Sequence, residues 1–369
     1  MKVLFTGNID NIAYSCAKFS RWLGVEAEVL VSSAEREVSH PFWEDGEAVA
    51  GPLMRTFDSP RGLGIPASLL QLRRIFKEYD VVVAMGMMGI AALVLTRPYL
   101  AIALGADMKE LVFAKSLRGR LMDAAFRRAA RLYYNDVDHL PAVAAKAYQA
   151  HYFPIPIDTD KYCPRPRPAG GEGLRLLHGS SLSWTLDWTT DKELHRRTLK
   201  RNDLFFEGLA LFRGRHPSLP LQVTVPLWGP DKDQVQPLCQ RLGVADCIDF
   251  VPPLTKPQLL EEYHRADAVV DQFNMPRLGY NAMEALSCGR PVLGYFTEEL
   301  QRACYPELPP VLNADGAEAV CRRLEELLDP ARRRELEVEG RRWIMAHHHW
   351  EPILRDLLDQ CRALARPSP

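Results

Sequence analysis

The stretch DQFNMPRLGYNAMEALSCGRPVLG, residues 271–294, predicts the end of a strand, a loop, a helix and a second strand. In its predicted helix, residues 278–288, the neighbours of position 284 are Ala282, Met283, Ala285 and Leu286, which favour packing against a core. Glu284 is the single carboxylate in that helix. An isolated acid among residues that pack together needs a chemical reason, and Glu284 is therefore the first candidate for a functional residue.

The loop before this helix has the features of an anion site. Asp271 ends an apolar strand, and the helix that follows offers unpaired backbone N–H groups and the positive end of its dipole to a phosphate. Gly279 lacks a Cβ and so permits close approach of a ligand. Glu284 lies on the same helix face as Tyr280, where its carboxylate can accept hydrogen bonds from both hydroxyls of a ribose. The alternative is a solvated Glu on an amphipathic helix, and the pattern leaves both interpretations open.

Length and composition predict a globular protein of two domains. The 369 residues exceed the usual size of a single hydrophobic core. Hydrophobic residues make up 47% of the chain and charged residues 25%, as in ordinary globular domains. The net charge of −1 gives no general attraction to nucleic acid, so no nucleic-acid partner is expected.

The chain shows no targeting or membrane-spanning pattern. The opening residues MKVLFTG pass directly into a predicted strand, without the basic and apolar regions of a signal peptide. The longest apolar patches, such as residues 90–95, are too short to span a bilayer. The 8 cysteines are scattered without a CxxC pair, which favours reduced thiols over disulfides or a zinc site. These features predict a soluble, cytoplasmic protein.

Apolar strand patterns alternate with amphipathic helix patterns along both halves of the chain, which predicts an α/β fold with parallel sheets covered by helices on both faces. In the first half, strands are predicted at 2–6, 26–31, 81–85 and 99–104, and helices at 13–23, 68–77 and 117–131. In the second half, strands are predicted at 174–177, 221–225, 248–251, 268–270 and 291–294, and helices at 203–212, 233–242, 257–266, 278–288 and 316–328. A segment rich in proline and glycine, residues 154–173, predicts the linker between two domains.

The sequences ADAVVDQF (266–273) and GYNAMEALSCGRPVLG (279–294) resemble the signature of the retaining glycosyltransferases of family 4. In that family the second acid of a Glu-x7-Glu pair lies in a segment such as EAMACGKPV, which residues 284–292 match. The resemblance implies a GT-B fold, with two doubly wound Rossmann-like domains facing across a cleft. It also implies that Glu284 binds the ribose of a nucleotide-sugar, and that Leu278, Gly279 and Tyr280 contact its diphosphate. Where the family has its first Glu, this chain has Pro276, which leaves the contact with the donor sugar open.

A second motif, TLKRNDLFFEG (198–208), resembles the KGND element of the same family, with Arg201 at the glycine position. The resemblance implies that Lys200 neutralises the charge that develops on the departing diphosphate. Arg197 is a second cationic candidate, and Val251, at the end of a predicted strand, is a further donor-binding candidate. The plainer interpretation of the motif is a helix start that is capped by Asn202 or by its neighbour Asp203.

The acceptor-side candidates lie in the first half. ALGADMKE (103–110) resembles the family's GSD element, so Gly105 and Asp107 are predicted to line the acceptor side, with Asp107 orienting or deprotonating an acceptor hydroxyl. A helix cap is the alternative for Asp107. The segment GNIDNIAYSCAKF (7–19) corresponds to the family's acceptor loop but lacks its paired glycines. It contributes Asn8, Asn11 and Tyr14 as contact candidates.

The resemblance implies transfer of a sugar with retention, without metal or cofactor, in bacterial polysaccharide, glycolipid or glycoconjugate assembly. The expected partners are a nucleotide-sugar donor and a glycan, lipid-linked or small-molecule acceptor. The expected domains are 1–165, to which the helix within 350–369 returns, and 170–349. KSLRGRLMDAAFRRAARL (115–132) carries six basic residues on an otherwise apolar helix, which suits either peripheral contact with the inner membrane surface or an ordinary surface helix.

Two other functions fit the same fold. A sugar-nucleotide epimerase would need acid and base groups beside the donor sugar, and Pro276 removes one candidate. A non-catalytic protein that binds a nucleotide-sugar or supports a partner transferase would tolerate Pro276 and the missing glycine pair.

Overall fold

The computed structural model describes residues 1–33, 40–58, 65–96, 98–166, 173–187, 196 and 198–365. The chain forms two compact units. Unit 1 comprises Met1–Asp158 and His348–Pro369, and unit 2 comprises Thr159–His347. The domain limits expected from the sequence, 1–165 and 170–349, stay predictions.

Each unit is built on one parallel sheet of the strands that the structure describes. The strands are β1 (Lys2–Thr6), β2 (Glu26–Ser32), β3 (Met54–Phe57), β4 (Val81–Met85), β5 (Tyr99–Ala103), β6 (Arg131–Tyr134), β7 (Ala150–Tyr152), β8 (Leu174–His178), β9 (Leu221–Pro226), β10 (Ile248–Val251), β11 (Ala268–Val270), β12 (Val292–Gly294) and β13 (Leu312–Asn313). Unit 1 has the order β3-β2-β1-β4-β5-β6-β7, and unit 2 has the order β10-β9-β8-β11-β12-β13.

Helices connect these strands. They are α1 (Ile12–Trp22), α2 (Pro41–Asp45), α3 (Glu47–Ala50), α4 (Ile65–Phe76), α5 (Met88–Leu95), α6 (Ala106–Lys109), α7 (Leu117–Arg128), α8 (Leu140–Lys146), α9 (Asp203–Arg215), α10 (Val235–Leu242), α11 (Lys256–Arg265), α12 (Tyr280–Ser287), α13 (Glu298–Cys304), α14 (Ala317–Glu326), α15 (Pro330–His347) and α16 (Trp350–Leu364).

The order of the strands tells where a ligand is expected. In each unit the chain reverses its winding between the first strand and the fourth, as in doubly wound folds that bind nucleotides. Ligands of such sheets bind outside the carboxyl ends of the strands at this reversal. In unit 2 the two strands concerned are β8 and β11, which pair in parallel with Val270 opposite His178.

The predicted βαβ pattern is confirmed, with corrections at particular elements. The predicted helix 117–131 ends at Arg128, and strand β6 begins three residues later because Leu132, Tyr133 and Tyr134 bury their side chains in the sheet. The short strands β3, β7 and β13 were not predicted. The predicted helix 278–288 begins later, at Tyr280, after Gly279 as its N-cap residue.

The C-terminal helix α16 belongs to unit 1, where it packs against α1. The ring of Trp350 stacks on Phe19 with 5.1 Å between the ring centroids. Beside this contact, Lys18 Nζ forms ion pairs with Asp45 Oδ2 at 2.8 Å and with Asp158 Oδ2 at 3.0 Å. Asp158, the last residue of the first segment of unit 1, is therefore bound to α1, the helix against which α16 packs.

Across the described part of the chain, no helix combines the length and the apolar character that crossing a membrane requires.

Candidate functional site

Two loops that are far apart in the sequence meet at the carboxyl edge of the sheet in unit 2. The backbone N–H of Phe273 donates to the carbonyl oxygen of Lys200 at 2.7 Å. The side-chain amide of Asn274 donates to the carbonyl oxygen of Leu199 at 3.1 Å. The structure thus brings the segment around Lys200 against the loop that leads into α12, as the two predicted donor motifs require.

The start of α12 is held by a buried carboxylate. Asp271 Oδ2 accepts a hydrogen bond from the backbone N–H of Gly279 at 2.6 Å. A Cβ at position 279 would lie 2.6 Å from Asp271 Oδ1, so the close approach requires glycine. Leu278, the preceding residue, is buried in the core. Burial raises the pKa of Asp271, while the charge of Lys200 and the Gly279 N–H act in the opposite direction.

Glu284 is fully buried, so the interpretation of it as a solvated helix residue is wrong. Its Oε1 forms an ion pair with Lys256 Nζ at 2.5 Å, and its Oε2 accepts a hydrogen bond from the hydroxyl of Tyr263 at 2.8 Å. Lys256 Nζ also lies 4.9 Å from the centroid of the Tyr280 ring. Glu284 is therefore a buried acid whose nearby cation is partly exposed, with 18% of the Lys256 side chain accessible.

Lys256 and Tyr263 are not among the residues predicted from the sequence. They lie seven positions apart on α11, which places them on one face of that helix. Thr255 and Gln258 form a capping box that sets the start of α11 at Lys256, rather than at the predicted residue 257. The capping pattern could have predicted from the sequence that a helix begins at Lys256. Only the folded structure shows that the Lys256 ammonium reaches Glu284 on α12.

The loop that carries Lys200 departs from the expected helix cap. Asn202 Oδ1 accepts from the backbone N–H of Ser183 at 2.8 Å, and the carboxylate of Asp203 pairs with the Arg201 guanidinium at 3.0 Å. Asn202 is the N-cap residue of helix α9, as one of the two predicted alternatives has it, but its side chain makes no capping hydrogen bond, and Asp203 is the first residue of the helix. Lys200 itself is half-buried. Arg197 lies outside the described residues.

Arg201 has φ of 54°, in the left-handed region that favours glycine. This is the position at which the KGND element has its glycine. The backbone of this chain therefore adopts, at an arginine, a conformation that glycine takes without strain. The bidentate contact between Arg201 and Asp203 stabilises the arginine in this conformation.

His178 ends β8 and connects it to the Lys200 loop. It is fully buried, its Nε2 lies 3.0 Å from Asn202 Nδ2, and its ring stacks on Phe206. Because an amide nitrogen can only donate, His178 Nε2 is the acceptor in this pair. Burial lowers the pKa of His178 to about 4, so the ring is neutral near pH 7. The next residue, Gly179, accepts a hydrogen bond from Asn281 Nδ2 at 2.6 Å, which attaches the β8 end to α12.

Val251 lies at the end of the edge strand β10, and its carbonyl oxygen accepts from the Leu227 N–H at 2.8 Å. It lines a cavity of about 310 Å³ together with Leu177 and Thr224. Glu284 is not among the residues that line this cavity. Val251 therefore lies beside a cavity that Glu284 does not line.

In unit 1, Asp107 lies in the first turn of α6 with 7% of its surface exposed. Its Oδ1 accepts from the backbone N–H of Gly105 at 2.7 Å, and both of its carboxylate oxygens lie 3.2 Å from the Leu104 nitrogen. The carboxylate therefore closes the loop between β5 and α6. This carboxylate accepts from backbone N–H groups just before α6, but the N-cap residue of α6 is Gly105, which has no side-chain capping hydrogen bond, so Asp107 is not the cap of the helix. A role of Asp107 toward an acceptor stays a proposal.

The other acceptor-side candidates also form hydrogen bonds within unit 1. Asn8 Nδ2 donates to Asn11 Oδ1 at 2.9 Å, and Asn8 Oδ1 accepts from the backbone N–H of Tyr14 at 3.0 Å. Tyr14 is fully buried, and its hydroxyl donates to Asp45 Oδ2 at 2.8 Å. Burial, together with the charge of Asp45, raises the pKa of Tyr14.

One group among the described residues has the composition of a metal site. Ligand atoms of Asp136, Asp138 and His139 lie within 4.8 Å of one another, after strand β6. Asp138 Oδ2, however, already pairs with Lys109 Nζ at 2.6 Å. A metal ion there would compete with an ammonium, and the expectation of a metal-free protein stays a prediction.

Comparison with solved structures identifies the fold. The chain matches Anabaena HepE in complex with UDP and glucose with a TM-score of 0.72, over 98% of this chain and 100% of that one, at 15% identity. It matches the sucrose-phosphate synthase of Thermosynechococcus elongatus with a TM-score of 0.68 over 99% of both chains, at 18% identity. The chain has the GT-B glycosyltransferase fold. The predicted fold class of two Rossmann-like domains is thus confirmed.

Sequence comparison agrees with this GT-B assignment. A family described as glycosyl transferase-like matches residues 210–359. The D-inositol 3-phosphate glycosyltransferase of Salinispora tropica is 32% identical over 44% of this chain and 35% of its own length. The enzyme of the same name from Geodermatophilus obscurus is 27% identical over 58% of this chain and 47% of its own length. The chain therefore spans less than half the length of these curated relatives. The predicted resemblance to GT-B glycosyltransferases is confirmed.

Proposed function

We propose that this GT-B protein transfers a sugar from a nucleotide-diphosphate sugar to an acceptor hydroxyl with retention. One observation carries the proposal. The Lys200 loop and the loop before α12 are hydrogen-bonded to each other through the Phe273 N–H, at the carboxyl edge of the unit 2 sheet. The sheet reverses its winding there, and doubly wound sheets bind nucleotides at such a position.

The residues at this edge supply the chemistry that donor binding needs. We assign the ribose hydroxyls to Glu284, because a buried carboxylate can accept from both members of a vicinal diol. The diphosphate is assigned to the backbone at Leu278, Gly279 and Tyr280, where the helix dipole of α12 favours an anion. Lys200 supplies positive charge as the diphosphate departs. Arg197 and Val251 are the remaining donor-side proposals.

Unit 1 is assigned to the acceptor. Asp107 orients the acceptor hydroxyl or removes its proton, with Gly105 in the same loop. Asn8, Asn11 and Tyr14 shape the loop after β1 that contacts the acceptor. The proposed attack occurs on the face from which the diphosphate leaves, so retention needs no protein nucleophile. Cationic side chains and a helix N-terminus take the place of a metal ion.

The wider setting is part of the same proposal. The resemblance of the motifs supports a role in bacterial polysaccharide, glycolipid or glycoconjugate assembly in the cytoplasm, with a glycan, a lipid-linked sugar or a small molecule as acceptor. Peripheral membrane contact is supported by Leu117, which is 73% exposed at the start of α7, beside the basic residues Arg118 and Arg120. Sedimentation with vesicles containing anionic lipid tests this contact, and Leu117→Asp should reduce the bound fraction.

The first experiment on the donor is a thermal-shift screen with UDP, GDP, CDP and TDP. A nucleotide that binds only the native state raises the melting temperature. The second experiment incubates the protein with the corresponding sugar nucleotides and follows the products and their anomeric configuration by NMR. A transferred sugar with the donor's configuration supports the proposal, and an inverted configuration contradicts retention.

A non-catalytic nucleotide-sugar-binding protein is the second candidate function. It is favoured by Pro276, which offers no acid where the family has one, and by Lys256, which already pairs with Glu284. Binding of a sugar nucleotide without transfer, hydrolysis or epimerisation, across a panel of donors and acceptors, would support it. An epimerised sugar nucleotide would instead identify an epimerase.

A further inference from the structure

Gln272 is the centre of a buried hydrogen-bond network in the loop before α12. The residue is fully buried. Its Oε1 accepts from the backbone N–H groups of Asn274 at 2.8 Å and Met275 at 2.6 Å. Its Nε2 donates to the carbonyl oxygens of Met275 and Arg277, both at 2.7 Å, and lies 3.1 Å from that of Tyr295. One side-chain amide therefore uses all of its donors and acceptors on backbone groups.

Asp271, the neighbour of Gln272, holds the other end of the same loop. It accepts the Gly279 N–H at 2.6 Å, and it is 3% exposed. Two consecutive side chains at the end of β11 thus fix residues 274–279 from both sides. Lys200 adds a third attachment at the start, through its carbonyl oxygen to the Phe273 N–H.

The loop needs these attachments because it has little structure of its own. Residues 271–279 form neither helix nor strand, and Pro276 has no N–H to contribute. An irregular backbone without ladder hydrogen bonds would sample many conformations, and ordering each residue costs roughly 1–2 kcal/mol. The side chains of Asp271 and Gln272 keep the loop in one conformation before any ligand arrives.

We propose that Asp271 and Gln272 are positioning residues, which hold the loop 273–279 so that its backbone and the start of α12 meet the donor diphosphate. This inference rests on the proposed function, since it assigns that loop to the diphosphate. It predicts that the loop network acts on phosphate recognition and leaves ribose recognition by Glu284 unchanged. A merely structural role would weaken both equally.

The test compares a nucleoside diphosphate with the matching monophosphate. Calorimetry measures the affinities of UDP and UMP, GDP and GMP, CDP and CMP, and TDP and TMP for the full chain. The pair with the tightest diphosphate is then used for the variants. In Gln272→Met, which keeps the shape of the side chain and removes its hydrogen bonds, we expect diphosphate affinity to fall about tenfold. Monophosphate affinity should change less than about twofold, so the ratio of diphosphate affinity to monophosphate affinity should fall.

Gln301→Met is the matched control. Gln301 is a second buried glutamine of unit 2, with 2% of its surface exposed, and it lies on α13, outside the loop. The control loses a buried amide in the same unit but should keep the ratio of the wild-type chain. A Gln272→Met variant that keeps the wild-type ratio, or an equal fall of the ratio in both variants, would overturn the assignment.

Asp271 gives an independent arm of the experiment. Asp271→Asn keeps a carbonyl oxygen for the Gly279 N–H, whereas Asp271→Leu has a similar size and no acceptor. We expect the diphosphate-to-monophosphate ratio to survive in Asp271→Asn and to fall about tenfold in Asp271→Leu. An equal loss in both variants would show that the charge matters rather than the hydrogen bond, and would overturn the positioning role of Asp271.

The outcomes separate this inference from the proposed function. If no nucleotide binds the wild-type chain, the proposed function fails. If nucleotides bind and the ratio in the Gln272 and Asp271 variants equals that of the wild type, the donor site stands and only the positioning role is wrong.

Discussion

Units 1 and 2 have the same strand order through six strands, yet the polar residues at their carboxyl edges have different partners. In unit 1, Asn8 bonds Asn11, three positions away, and Asp107 bonds Gly105, two positions away. In unit 2, Asn281 reaches Gly179 across 102 positions, and Lys256 reaches Glu284 across 28.

The difference shows which residues need the tertiary fold to have a role. A local bond such as that of Asp107 satisfies a helix start and forms wherever that turn forms. The contacts of unit 2 exist only when β8, α11 and α12 are all in place. They also bury two carboxylates, Asp271 and Glu284, which is costly unless each has partners. The unit 2 edge is therefore the stronger candidate for a built binding site.

Removal of the cation at the unit 2 edge should give the largest effect. Lys200→Ala is expected to lower kcat about a hundredfold or more, because the charge it offsets grows as the diphosphate leaves. Donor affinity should fall less than about tenfold. Steady-state kinetics measures kcat and calorimetry measures donor affinity, and Lys232→Ala, at an exposed lysine, is the control. An increase in KM at unchanged kcat would reduce Lys200 to a binding residue.

The buried histidine of unit 2 predicts a pH dependence of stability. The folded-state pKa of His178 is about 4, below its ordinary value of 6.5. Burial of the neutral ring therefore contributes its full share to the free energy of unfolding above pH 6.5, and this share is lost as the pH falls toward 4. The loss corresponds to roughly 3 kcal/mol. Urea unfolding between pH 4 and 7 should show this slope in the wild type and less of it in His178→Leu.

The half-exposed His216, replaced in His216→Leu, is the control for this titration. If the wild-type and His178→Leu chains lose stability in parallel as the pH falls, burial of His178 does not govern the transition.

Neutralising the buried acid tests the ribose assignment. Glu284→Gln should weaken nucleoside diphosphate binding about tenfold, because the ribose hydroxyls lose a charged acceptor. Calorimetry measures the affinity, and Glu337→Gln changes another buried glutamate of unit 2 as control. Wild-type affinity in a folded Glu284→Gln variant would remove Glu284 from the donor site and leave it as a structural partner of Lys256.

The smallest effect is expected in unit 1. Asp107→Ala should lower the free energy of unfolding by about 1 kcal/mol, since two backbone N–H groups near the start of α6 lose their acceptor. Asp107→Asn retains an oxygen and should be closer to wild type in stability. Nucleotide affinity should be unchanged in both variants. Reduced turnover in the stable Asn variant would support the acceptor role, and wild-type turnover in both would leave Asp107 as a structural residue.

Much of the fold was predictable because its signals are local. Strands β1, β4, β10 and β11 have the predicted limits, since their apolar runs end at charged residues, glycine or proline. Strand β6 was missed because LYY follows a helix pattern without an intervening breaker. Its pairing with β5 and β7 makes it a strand.

The sequence by itself determined the α/β alternation, the glycine that α12 needs at its start, and the motif order that points to a GT-B glycosyltransferase fold. The alternation follows from periodicity and the glycine from its missing side chain, whereas the GT-B fold is what the resemblance of the motifs implies. The tertiary structure decided that Glu284 is buried against Lys256 and Tyr263, that Arg201 keeps a left-handed turn, and that Gln272 fixes the loop before α12. Such contacts join residues from different elements, and no local pattern encodes which side chains will meet once the sheets have formed.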